Sequence, residues 1–337
     1  MKQAELEVLV RECFGLEVVA VVRELAAGHI NQSFVVDTGD GAVVVQQMNP
    51  QVFPDPVAVM DNAAKIRTRL EERNLPGMAF LRAVDGSWLA DVGDDVWRCY
   101  RYIDGAATPP IVTVEEAQAT ARAFGRFAGA IDGLELVEHL PGYHDFDRRI
   151  AALEAAVEQD VAGRVADEGE IIESLLGAVD RVRLSAGFDA WREAPVRNAH
   201  NDAKGPNCVV GPSGARTIID LDTTMRGTIL SDVGELVRSS TRHLPEASPE
   251  QLMSQIEAVN RGFLASFGSE LLESERQAML VAGPLLTIEN AARFLTDHFE
   301  GDWYYGASEP NQNRSRCEVQ FSLALRIIEA IEWVTLH

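Results

Sequence analysis

The sequence predicts an α+β fold, with a small antiparallel sheet region followed by a larger, mainly helical one. Short β-type runs crowd the segment before Gly105, and helical periods dominate the remainder of the chain. The strands come as a block ahead of the helices instead of alternating with them, which argues against a doubly wound sheet. A length of 337 residues suits one large or two ordinary domains. A linker near residue 104 divides the chain into 1–103 and 104–337.

An amphipathic helix is expected over 3–14, then strands at Glu17–Leu25 and Gln32–Asp37. The turn Thr38-Gly39-Asp40-Gly41 leads into Ala42–Met48, so 32–48 reads as a hairpin. Asp55-Pro56 has the form of an N-cap and first helical residue, opening a helix to about Arg73. Short β-runs come next at Phe80–Ala83 and Trp88–Asp91 around an Asp85-Gly86 turn, and a third at Val96–Ile103. Thr113-Val114-Glu115-Glu116 and Ser248-Pro249-Glu250-Gln251 are capping-box sequences at the heads of two helices. Helical spacing also covers 147–160, 169–186, 270–299 and 316–335, and one β-type island interrupts it at Pro195–Asp222.

Charge sets further bounds. The formal net charge is −22, which repels nucleic acid and anionic lipid. Only three of the 30 basic residues are lysines: Lys2, Lys65 and Lys204. No apolar run approaches the roughly 18 residues of a membrane span, and no signal peptide is recognised near the start. The cysteines Cys13, Cys99, Cys208 and Cys317 are too scattered for a local zinc knot or disulfide framework, which points to a reducing cytoplasm.

The island carries the chemistry. His200-Asn201-Asp202-Ala203-Lys204-Gly205-Pro206-Asn207 lies between two strand-like runs, and the apolar run Thr217-Ile218-Ile219 then ends in Asp220-Leu221-Asp222. Phosphoryl transfer needs a carboxylate for the attacking hydroxyl's proton, and carboxylate and amide oxygens to hold Mg²⁺ on the phosphates. His-x-Asp-x-x-x-x-Asn with a later strand-end Asp has the kinase catalytic-loop spacing. Each half alone reads as an ordinary surface turn; together and in this order they favour a kinase.

Further motifs extend the pattern: Gly28-His29-Ile30-Asn31, Gln46-Gln47-Met48-Asn49, Met60-Asp61-Asn62, Pro141-Gly142-Tyr143-His144-Asp145, Arg293-Phe294-Leu295-Thr296-Asp297, Gly301-Asp302-Trp303-Tyr304-Tyr305 and Asn313-Arg314-Ser315-Arg316. With these the chain resembles the aminoglycoside phosphotransferase and choline kinase superfamily. From about residue 25 to 330 it is most similar to the N-acetylhexosamine 1-kinases. The resemblance implies a bilobal protein-kinase-like fold, with a nucleotide-binding lobe over 1–103 and a catalytic and substrate-binding lobe over 104–337. It implies ATP as co-substrate, Mg²⁺ as cofactor and a small molecule, a sugar, as acceptor. Asp202 would be the base, with Lys204 reaching the γ-phosphate; Asn207 and Asp220 would hold Mg²⁺, and Asp222 would be a second metal or loop-ordering ligand. His200 would be a structural brace. Gly28, Asn31, Ser33, Gln46 and Gln47 would face the phosphates, and the backbone at Tyr102 and Ile103 the adenine. His144, Asp145, Arg148, Tyr304, Asn313 and Arg316 would bind the acceptor, with Gln320 facing the same cleft. Arg293 and Asp297, four apart, read as an intrahelical pair.

One departure stands out. A kinase places a lysine on the third strand, paired with a helix glutamate, yet no Lys or Arg lies between Arg23 and Lys65. Three explanations are open: Gln46 or Gln47 suffices with Mg²⁺, Arg67 or Arg101 reaches in, or activity is weak; Asp61 and Asn62 are the nearest stand-ins for the glutamate. The alternatives left open are an aminoglycoside, amino-alcohol or hexosamine kinase, and a non-catalytic nucleotide-binding homologue.

Overall fold

The structure is a computed structural model describing residues 3–25, 31–105, 107–108 and 110–336. The order begins α1 (Gln3–Phe14), β1 (Val18–Glu24), β2 (Gln32–Thr38), β3 (Gly41–Met48), α2 (Pro56–Glu72), β4 (Phe80–Leu81), β5 (Ala90–Val92) and β6 (Asp95–Arg101). Helices α3 (Val114–Ile131), α4 (Phe146–Gln159), α5 (Gly169–Arg183) and α6 (Ala186–Arg192) come after the sheet. The β island contributes β7 (Arg197–Ala199), β8 (Cys208–Val210), β9 (Arg216–Ile218) and β10 (Met225–Gly227). The chain then runs through α7 (Ile229–Thr241), α8 (Pro249–Phe267), α9 (Glu273–Glu300) and α10 (Gln312–Leu336).

By its internal contacts the chain divides into two compact units. The first is Met1–Pro109 with two later segments, Gly133–Leu140 and Asn207–Met225; the second is Pro110–Asp132, Pro141–Pro206 and Arg226–His337.

In the first unit β1 to β6 form one antiparallel sheet of order β1-β2-β3-β6-β4, with β5 also on β6. The two short runs expected to flank the Asp85-Gly86 turn thus pair with β6, not with each other. Alternation along the strands sends successive side chains to opposite faces. Phe34, Val36, Val43, Val45, Trp97 and Cys99 pack on one face against Leu6, Leu9, Val10 and Phe14 of α1. The register sets Ser33 opposite Gln46 and Gln46 opposite Arg98, so these three form a polar row across β2, β3 and β6. Asp55 caps α2 as its sequence predicts, accepting the Ala58 N–H at 2.9 Å.

The second unit is helical. Thr113 accepts the Glu116 N–H at the head of α3, and Ser248 and Gln251 make the reciprocal capping box of α8. Helices α3 and α8 approach closely enough that a Cβ on Gly129 would lie 1.6 Å from the Phe267 carbonyl oxygen, and one on Gly125 2.4 Å from that of Phe263. The 28-residue α9 packs against α4, α6, α7 and α10. It is the one helix among the described residues long and apolar enough to cross a bilayer, and 78% of that stretch is buried by the fold, as in a core helix. Two helices escape the sequence pattern. α6 has only seven residues, and α7 is buried on nearly every side, its polar residues included.

Candidate active site

The loop after β7 is fixed from three directions within the second unit. Asp232, in the first turn of α7, accepts the His200 N–H on one carboxylate oxygen (3.0 Å) and the Asn201 N–H on the other (2.7 Å). Burial pushes its carboxyl up to about 6, partly offset by His200, the two N–H donors and His144. Asn201 has φ 62°. The Ser231 hydroxyl donates to its side-chain oxygen at 3.0 Å, and a Cβ on Gly227 would come within 2.7 Å of that oxygen. From the third side His144 donates Nε2–H to the Asn201 carbonyl (2.7 Å) and Nδ1–H to Glu289 (2.9 Å). Two oxygen acceptors require both ring nitrogens to be protonated. Burial opposes that charge, but Glu289 outweighs it and raises the pKa. His200, fully buried, meets the Phe124 and Phe127 rings edge-on, as expected of a brace.

On this support Asp202 and Lys204 form an ion pair at 2.6 Å, both partly exposed. Gly205 N–H donates to the Ser239 hydroxyl at 3.0 Å, tying the loop to α7 one further turn along.

Asn207 and Asp220 belong to the first unit. The antiparallel pair β8–β9 and a bond from Ile219 N–H to the Asn207 carbonyl (3.0 Å) bring their backbones together. Asp220 sits in the left-handed region at φ 61°, where the strand turns into a short 3₁₀ segment. Asp222 is buried. Arg98 pairs with it at 2.5 and 2.9 Å, Asn31 donates at 2.8 Å, and its carbonyl bonds His139. The Gln46 side-chain oxygen accepts from Arg98 Nε at 2.8 Å and also from Nη2, and its amide donates to Ser33. A chain Ser33–Gln46–Arg98–Asp222 therefore links the sheet to the strand-end aspartates, and Asp220 adds to the field on Arg98.

This arrangement corrects several expectations. The cation beside Gln46 is Arg98, not Arg67 or Arg101: Arg67 bonds Glu71 and the Phe80 carbonyl, and Arg101 the Asp40 carbonyl. No helix glutamate is its partner. Asp61 is exposed, and Asn62 exchanges bonds with the Val137 backbone. Gln47 lies on the opposite sheet face, donating to Asp95 at 2.6 Å. The Tyr102 N–H is already donated to the Ala42 carbonyl, so at Tyr102 the backbone offers adenine only its carbonyl. Asn31 and Ser33 are held inside the same network, and Asn31 also accepts the Asn49 N–H. Gly28 lies outside the described residues.

The expected acceptor residues separate into braces and exposed groups. His144 is a brace, and so is Asn313, fully buried between Asp297 (2.8 Å), Asp302 (2.9 Å) and Arg316 (2.7 Å). Asp145 caps α4, and Arg148 donates to the Pro141 carbonyl. Asp297 does not pair with Arg293. It accepts the backbone N–H groups of Tyr304 and Tyr305, tying the loop after α9 in place. Tyr304 keeps an exposed ring. Gln320 bonds Arg238 beside Glu235. Arg293 lies over the Tyr143 and Tyr305 rings, with Glu289 3.9 Å away.

Sequence reasoning passed over Arg98, Asp232, Tyr143, Arg149 and Glu289. One signal was present for Asp232: Thr228, Ser231, Asp232, Glu235 and Ser239 make a polar stripe at helical spacing inside an apolar segment.

Residues 21–270 match the family described as Phosphotransferase enzyme family (APH), well over half of the chain. The chain belongs to this family. Among solved structures, this phosphotransferase is similar to an aminoglycoside phosphotransferase from Alicyclobacillus acidocaldarius (13% identity, 95% of each chain, TM-score 0.64). It is similar too to amicoumacin kinase in complex with AMP-PNP, Ca²⁺ and Ami (12%, 97% of this chain and 94% of that one, TM-score 0.66). A third is the microcompartment-associated aminopropanol kinase (15%, 98% of each chain, TM-score 0.62). These likenesses establish the kinase-like fold: an antiparallel sheet region followed by a larger helical part.

Proposed function

We propose that this phosphotransferase is an ATP- and Mg²⁺-dependent small-molecule kinase whose acceptor is a hydroxyl of a hexose, the anomeric hydroxyl of an N-acetylhexosamine being the one its motifs imply. The observation that carries the reading is the catalytic-loop constellation. Asp202 is partly exposed, paired with a cation and held on a loop whose backbone is bonded by Asp232 and His144. A base must be within reach of the proton it takes and fixed in direction. Asp202 Oδ would accept the attacking hydroxyl's proton, while Lys204 shields the carboxylate and faces the transferred phosphoryl group.

Asn207 and Asp220 are hard oxygen donors on adjoining backbones, a set that suits Mg²⁺. The cation would neutralise charge on the phosphates. The first unit, with Ser33, Gln46 and Arg98 in a row, would bind the nucleotide, and Asp222 would order the strand end. Arg98 supplies the positive charge that the third strand lacks, which favours a working enzyme over a non-catalytic homologue.

The test is Mg²⁺-dependent ADP release screened over N-acetylglucosamine, N-acetylgalactosamine, glucosamine, galactose, choline and aminoglycosides. Asp202→Asn should lower kcat by about 10²–10⁴-fold. Phosphorus NMR of the product should show coupling to the C1 proton; a 6-phosphate would sink the anomeric assignment.

A further inference from the structure

We infer that the acceptor is an acidic derivative of such a hexose, carrying a carboxylate or a phosphate that is received by Arg293 and Arg149 beside Tyr143 and Tyr305. The inference rests on the kinase reading only in calling that ligand the acceptor.

Arg293 projects from α9 with 11% of its side chain exposed. Its guanidinium carbon lies 5.3 Å from the Tyr143 ring centre and 5.7 Å from that of Tyr305. Rings hold a cation by their faces and leave its N–H donors in the guanidinium plane unused. No described residue accepts a hydrogen bond from it. The one carboxylate near it, Glu289, is 3.9 Å away and already engaged by His144. Arg149, one turn into α4, donates to the Tyr143 carbonyl at 2.9 Å, but its Nε is buried without a partner. Burial, and then repulsion from Arg293, lowers the Arg149 pKa.

Two guanidinium groups and the protonated His144 thus share Glu289, because the neighbouring Glu235 is taken by Arg238 and Asp202 by Lys204, in a chain whose overall charge is −22. Buried charge without a counter-charge is costly, and a guanidinium fork matches carboxylate and phosphate geometry. An arriving anion would satisfy both arginines. His144, next to Tyr143 in the chain, joins this cluster to the catalytic loop through the Asn201 carbonyl at 2.7 Å. A cationic acceptor, by contrast, would be repelled.

The experiment is calorimetric titration of the full chain with Mg·ADP saturating. The ligands are glucose and galactose against their 6-carboxylates, and N-acetylglucosamine against its 6-phosphate. At least one acid should bind about tenfold or more tighter than its neutral parent, and the carboxylate and phosphate arms decide which anion is preferred. Arg293→Gln and Arg149→Gln should each bring that ratio near one, Arg293→Lys should restore part of it, and circular dichroism checks that each variant is folded. Neutral sugars binding as tightly as the acids, no acid binding at all, or a ratio that survives Arg293→Gln would overturn the inference. ADP release separates the two proposals. Acid binding without turnover leaves the anion site and sinks the kinase reading; turnover of a neutral or cationic acceptor with no preference for acids does the reverse.

Discussion

Arg98 and Asp222 form a buried ion pair beside Gln46. The guanidinium is buried, bonded to both carboxylate oxygens, and takes the Gln46 oxygen as a further acceptor. Removing one partner of such a pair leaves an uncompensated buried charge, so Arg98→Ala should cost about 3–5 kcal/mol in urea unfolding. Arg98→Lys keeps the charge but loses the fork. It should recover only part of that stability, and raise KM for ATP if Arg98 also serves the phosphates. The motif proposed as the catalytic loop, Asp202, Lys204 and Asn207, can be picked out in the sequence because it is local. Arg98 was not, because the pairing that sets it beside Gln46 spans 52 residues and is fixed by register, which a single sequence does not show. His144 and Asn313 read in the sequence as acceptor-binding candidates, whereas their buried bonds to Glu289, Asn201, Asp297 and Asp302 depend on distant helices.

At the scale of elements, glycine decides how closely helices meet. Gly125 and Gly129 on α3 and Gly262 on α8 each face a backbone carbonyl of the opposite helix, at 2.4, 1.6 and 2.4 Å from where a Cβ would stand. Gly129→Ala must push the helices apart and should lower stability by about 1–3 kcal/mol, read as a drop in Tm. Gly133→Ala, with nothing nearby to meet, should lose only the strain of its positive φ. The ends of α2, α3 and α8 were readable from Asp55, Thr113 and Ser248, because caps act through residues two or three positions away. α7 was passed over although its polar stripe has helical spacing, because that stripe is buried to hold a loop and marks no solvent face.

For the molecule as a whole, the strands-then-helices order was enough to give the fold class, while the return of 133–140 and 207–225 to the first unit rests on long-range contacts. Proton binding also acts on the whole chain. His144 has a raised pKa in the fold, where burial opposes its charge and Glu289 prevails. The folded state therefore holds a proton that the unfolded chain releases. Its stabilisation is full below about pH 6.5 and is lost as pH rises through the raised value. Asp232 acts with the same sign between its ordinary value and about 6. The Tm difference between the native chain and His144→Gln should accordingly be greatest near about pH 6 and shrink toward about pH 9. A flat difference would mean that the imidazole is neutral.

The proposed use of Arg98 where kinases place an ε-amine also changes what can be labelled. Acyl-phosphate nucleotides transfer their acyl group to a primary amine lying against the phosphates, and a guanidinium, always protonated, does not react. Lys65, on α2, is engaged with the Glu135 carbonyl, outside the polar row. Such a reagent should therefore acylate Lys204 alone among the described lysines, and peptide mapping would find a single ATP-protected adduct in the loop of the proposed base.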